Sequence, residues 1–168
     1  MKKTDLVIPA SQQAMYDRFH FAPAAWSGDL LLCSGQIGSG PDGRGIADPE
    51  QQFTAAFEGV KAILDEAGLG FADVVEVTTF HVGLMQHIGT FMRVKDRYLP
   101  EPFPAWTAIG VVELAVPGGL VEVRATARRR SAPARAESAS RARAKSAPRA
   151  AKKASAKKSA RKRTRRKA

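Results

Sequence analysis

Few residues in this chain have the type and spacing to do chemistry. His20, His81 and His87 form no His-Glu-x-x-His pattern, no pair at metal-ligand spacing and no part of a nucleophile elbow. Each reads as a strand or surface residue. Cys33 is the only cysteine, which excludes an internal disulfide and any multi-cysteine metal centre. A nucleophilic thiolate needs a base beside it, and no His or Asn has a sequence reason to sit there. Cys33 therefore reads as a buried strand residue at the end of Leu30-Leu31-Leu32-Cys33. Gly35, Gly38, Gly40 and Gly43 resemble a phosphate cradle only in composition, because their spacing fits neither the dinucleotide fingerprint nor a P-loop. Neither a metal nor a cofactor is expected.

Charge is the other chemical resource, and it is divided. Residues 1–127 carry 9 Lys/Arg against 15 Asp/Glu, whereas residues 128–168 carry 18 Lys/Arg against Glu137 alone. The net charge of +11 is thus the sum of an acidic body and a polycationic tail. The tail has no Val, Ile, Leu, Met, Cys or aromatic residue, so it buries too little apolar surface to offset its ordering entropy and is expected to be disordered. Its densest part holds Lys152, Lys153, Lys157, Lys158, Arg161, Lys162, Arg163, Arg165, Arg166 and Lys167. Cations without interleaved aromatics neutralise phosphate backbones and do not stack on bases, so DNA, RNA or another polyanion is the expected partner, bound without sequence preference. A solvated tail without a partner and a membrane-surface anchor are the competing readings. The composition resembles the Lys/Ala/Pro-rich tails of linker histones.

The body must supply the elements that position any site, and at 127 residues it has room for one hydrophobic core. Asp29 to Ser34 reads as a strand running into a glycine-rich turn. Asp48, Pro49 and Gln51 form a helix start, and Phe53, Phe57, Val60 and Leu64 line one face of that helix up to the stop at Gly68. Val74 to Leu84 reads as a strand, and Ile88, Phe91, Met92 and Leu99 mark a second helix ended by Pro100. Trp106 to Leu114 and Leu120 to Ala127 read as two further strands, the second alternating so that Glu122, Arg124 and Thr126 face away from Val121, Val123 and Ala125. With an extended piece at Leu6 to Pro9, the pattern predicts an α+β fold with helices on one face of a mixed, mostly antiparallel sheet. The uncovered face predicts self-association. No stretch approaches the roughly 18 apolar residues of a transmembrane helix, and no apolar signal core follows Met1-Lys2-Lys3, so a cytoplasmic protein is expected.

Cys33-Ser34-Gly35-Gln36-Ile37, Val60 to Leu69, Val74 to Phe80, Phe103-Pro104-Ala105 and Val121-Glu122-Val123 resemble, in order and spacing, the RidA (YjgF-like) family over roughly residues 20–127. The resemblance implies a chorismate-mutase-like fold, a homotrimer, and small-metabolite sites in the clefts between subunits. It also implies enamine/imine deamination, a hydrolytic reaction, in which an Arg after Phe-Pro-Ala grips the substrate carboxylate, a last-strand Glu and a nearby Cys position water, and a Tyr lines the cleft.

Position by position, those groups are replaced. Trp106 stands at the Arg position, Ala108 at the Cys position, Arg124 at the Glu position and Phe21 at the Tyr position, while Ser34 and Gly35 keep the cleft wall. An indole cannot clamp a carboxylate as a guanidinium does. The expected cleft of Phe21, Ser34, Gly35, Trp106, Ala108 and Arg124 then favours a flat or apolar ligand, with Arg124 as an anion contact. Alternatively, Trp106 fills the cleft and Arg124 pairs with a neighbouring subunit's Glu122 or Glu113. The expectation is a metabolite-binding trimer tethered to nucleic acid, with an enamine/imine deaminase of non-standard site as the alternative.

Overall fold

A computed structural model of the chain describes residue 2 and residues 5–129. The tail cations from Lys152 to Lys167 and the expected disorder beyond Arg129 lie outside the described residues.

Alternation along the strands and apolar periodicity along two helices dictate the layers. Strands β1 (Leu6–Val7), β2 (Ala24–Ser27), β3 (Leu30–Cys33), β7 (Val121–Arg128), β5 (Val74–Val82) and β6 (Ala105–Val111) lie side by side in that order, and β4 (Gln36–Ile37) also pairs with β7. All pairings are antiparallel except β5 with β6. Helices α2 (Pro49–Glu66) and α3 (Leu84–Tyr98) cover one face, giving the α+β layer that the sequence predicts.

Helix α2 begins where its capping residues place it, with Asp48 Oδ1 accepting from the Gln51 amide at 2.8 Å and Pro49 in the first turn. It ends at Gly68, whose φ of +69° suits a residue without Cβ. Phe53, Phe57, Val60, Ile63 and Leu64 are buried along it and meet Leu31, Val77, Val121, Val123 and Ala125 of the sheet. Phe91 of α3 lies at the hub, with ring centroids 5.7 Å from Phe53, 5.9 Å from Phe57, 4.7 Å from His81 and 5.8 Å from Trp106.

Four features differ from the sequence expectation. Helix α1 (Gln13–Phe19) buries no residue, so it has no apolar stripe to announce it; Gln12 fastens its entry by donating to Gln36 Oε1 at 3.0 Å and to the Gly59 carbonyl at 3.2 Å. Strand β2 forms a hairpin with β3 across Gly28-Asp29, and Gly28 takes φ +64°. The chain does not leave the sheet after Ser34, because β4 rejoins it on β7. At the other end, Gly83 with φ +65° turns the chain, so Leu84 opens α3 and does not extend β5. Contacts continue just past Ala127: the Arg129 amide donates to the Asp29 carbonyl at 2.8 Å and its guanidinium lies over the Trp26 ring.

Candidate functional site

The expected cleft residues on the last two strands face opposite ways: Trp106 and Ala108 toward the helices, Arg124 away from them. Trp106 is in register with Val77, which is in register with Ala125, and all three point toward the helices. Ala108, two residues on, shares that side. Arg124 and Glu122 alternate with the buried Val123 and Ala125 and therefore face the other way. Strand β6 is the sheet edge and lies two strands from β7, about 10 Å at ordinary strand spacing. One chain alone does not bring Trp106 together with Arg124, Gly35 or Phe21.

One group of residues is built by α3 and β6. A pocket of about 330 Å³ is lined by Met92, Lys95, Leu99, Phe103, Pro104 and Trp106, together with Asp96. Trp106 is fixed from below: its Nε1 donates to Thr79 Oγ1 at 3.0 Å, and His81 Nε2 lies 2.8 Å from the same hydroxyl. Burial, aided by the nearby His87, lowers the His81 pKa to about 4, so its ring is neutral at physiological pH. His81 Nδ1 has no hydrogen-bond partner among the described residues. Lys95 is the residue that the sequence reading missed. Its Nζ lies 5.3 Å from the Trp106 ring centroid, 5.7 Å from that of Phe103 and 2.6 Å from Asp96 Oδ1, and its side chain is only 9% exposed. The signal was available, since Lys95 falls four residues after Phe91 and so on the buried stripe of α3. A lysine there reads as a surface residue until the neighbouring rings are known.

A second group surrounds Gly35. Ser34 donates its hydroxyl to the Ala22 carbonyl at 2.7 Å and its amide to the Pro23 carbonyl at 2.8 Å, which ties down the segment carrying the exposed Phe21. The Gln36 amide group donates to the carbonyls of Ser34 and Gly35. Glu122, on the neighbouring strand, packs its carboxyl into the space that a side chain at position 35 would occupy. A side chain at position 35 would have to displace that carboxyl. Burial raises the Glu122 pKa above the ordinary glutamate value. The carboxylate against the Gly35 wall is thus Glu122, while Arg124 stands exposed, cross-strand from Thr78 and without an ion pair among the described residues.

Cys33 is 2% exposed, and burial pushes its thiol up to about 12, as befits a strand residue without catalytic surroundings. His20 ends α1 in a left-handed conformation, and His87 stands edge-on to Phe53. Among the described residues no three His, Cys, Asp or Glu side chains gather as a metal-ligand set, and no helix is long and apolar enough to cross a membrane.

Comparison with known proteins bears on the family and the fold. The family model described as endoribonuclease L-PSP matches residues 11–129. The RutC family protein YjgH of Escherichia coli K12 is 39% identical over 116 residues, covering 68% of this chain and 88% of its own. A solved structure of protein YjgH superposes with a TM-score of 0.69 at 38% identity, over 76% of this chain and 97% of that one. A protein of Dermatophagoides farinae named 2-iminobutanoate/2-iminopropanoate deaminase is 31% identical over 106 residues, 56% of this chain and 74% of its own. With the family model spanning most of its length and the fold shared along with it, this chain belongs to the endoribonuclease L-PSP family, also called the RidA or YjgF family.

Proposed function

We propose that the protein binds a small, flat, largely apolar metabolite in clefts between the subunits of a homotrimer. Each cleft joins the Trp106 pocket of one subunit to the Phe21, Ser34, Gly35 and Glu122 corner of the next. The observation that carries this reading is that Trp106, on an edge strand, and Glu122 face opposite ways across the sheet. A second chain completes such a site without distorting the first. The exposed Leu32 and Ile109, with the half-buried Phe80, supply apolar surface on the open face for it to cover. Sedimentation equilibrium together with titration of indole into the full chain tests the reading. A trimer that binds indole by calorimetry, with binding lost in Trp106→Ala, supports it, and a monomer, or a trimer that binds no indole, overturns it.

In the same reading the basic segment tethers the protein to DNA, RNA or another polyanion, in a cytoplasmic setting. Its support is compositional: 18 Lys/Arg and one acidic residue from position 128 onward. Binding to duplex DNA should fall steeply with salt and be lost when Lys152, Lys153, Lys157, Lys158, Arg161, Lys162, Arg163, Arg165, Arg166 and Lys167 are all changed to Gln. Unchanged binding by that variant sinks the tether.

A second reading, imine hydrolysis, is favoured by Glu122. A half-buried carboxyl of raised pKa is suited to hold a water and pass a proton, and one relative carries a deaminase name. Release of ammonia from 2-iminopropanoate by the full chain, lost in Glu122→Gln, establishes it; no release leaves binding alone.

A further inference from the structure

Lys95 combines features that a purely solvated lysine lacks. It lies in the last turns of α3, where the helix dipole favours a cation, yet its side chain is nine-tenths buried. By contrast, Lys61 on α2 is about half exposed and pairs with Asp65 across one helical turn. An ammonium has three N–H donors, and Lys95 directs one of them to Asp96. The rings of Trp106 and Phe103 attract the charge through their faces but offer no lone pair. Asp96 is itself 57% exposed and well hydrated, so it can yield the ammonium to a competing acceptor at little cost.

Resting on the reading that this pocket holds a small flat ligand, we infer that Lys95 is its anion-binding residue and that the ligand class is an aromatic carboxylate. The carboxylate takes the free N–H groups of Lys95 and displaces Asp96 toward solvent, while the ligand ring packs on Trp106, Met92 and Leu99. The positive charge that Trp106 cannot supply from β6 comes instead from α3, on the same side of the sheet. Arg124 cannot serve from the same chain, because it faces the opposite side.

Benzoate, its neutral isostere benzamide and indole, titrated calorimetrically into the full chain, test this. Benzoate should bind at least about tenfold more tightly than benzamide, equivalent to about 1.4 kcal/mol. Lys95→Met should abolish that preference, Lys95→Arg should retain part of it, and Asp96→Asn should tighten benzoate by removing its competitor. Every variant carries the same basic tail, so differences between them report the pocket. Equal binding of benzoate and benzamide, or a preference that survives Lys95→Met while the thermal melt stays intact, overturns the inference. Indole binding without benzoate binding defeats the anion role but leaves the apolar pocket standing; no binding of any probe defeats both.

Discussion

The pocket under α3 buries a cation among aromatic rings, whereas the corner at Gly35 buries a carboxyl against backbone. In the pocket, Lys95 is held by the faces of Trp106 and Phe103 and by the exposed Asp96, so its charge is compensated without a second buried ion. At the corner, Glu122 fills a space that exists only because residue 35 has no side chain, and burial there works against its ionised form. The pocket depends on large apolar groups and should fail when they shrink. The corner depends on a missing Cβ, and adding one should push the Glu122 carboxyl out of its place.

The largest effect is expected from Phe91→Ala. Phe91 is fully buried beneath Phe53, Phe57, His81 and Trp106, so its removal should lower unfolding free energy by about 3–5 kcal/mol in denaturant titration and loosen the pocket. A loss below about 1 kcal/mol would mean that the pocket does not hang on this hub.

Acid should act next. The His81 pKa is lowered to about 4 in the fold against 6.5 for the free side chain, so the unfolded chain takes up a proton that the folded chain refuses. This contribution is present in full above pH 6.5 and is lost as pH falls toward 4, by at most on the order of 3 kcal/mol. Glu122 has the opposite sign: its raised pKa makes the fold more costly as pH climbs past the ordinary glutamate value, so its penalty is relieved in acid. Melting across this range should therefore show a shallower acid slope in His81→Phe and a steeper one in Glu122→Gln, which at neutral pH should melt higher than the parent. Parallel slopes in all three proteins would remove the electrostatic contrast between the two regions.

The smallest effect should separate shape from charge at the corner. Gly35→Ala forces the Glu122 carboxyl to move and, because that carboxyl ends a flexible side chain, should cost less than about 1 kcal/mol, with less cost still in a Glu122→Ala background. Equal costs in both backgrounds would place the strain elsewhere.

Much of this was legible beforehand, where one short-range rule sufficed. The start and stop of α2 follow from Asp48, Pro49 and Gly68, and the inward row Val121, Val123 and Ala125 follows from alternation. Cys33 was readable as a buried strand residue. Helix α1 was hidden because it buries nothing, although Gly28-Asp29 between Ser27 and Leu30 was a hairpin signal that marks β2. Trp106, Phe21 and Gly35 were found as residues, but neither their separation within one chain nor the parts played by Lys95 and Glu122 followed from their neighbours in sequence.

By itself the sequence determined the α+β layering, the family and the division of charge between an acidic body and a basic tail, because periodicity and composition are written locally along the chain. Only the tertiary structure decided which charge faces which wall. That choice depends on strands far apart in sequence lying in register, β6 against β5 and β7 beside β4, and on a helix laying Lys95 across the rings of Phe103 and Trp106.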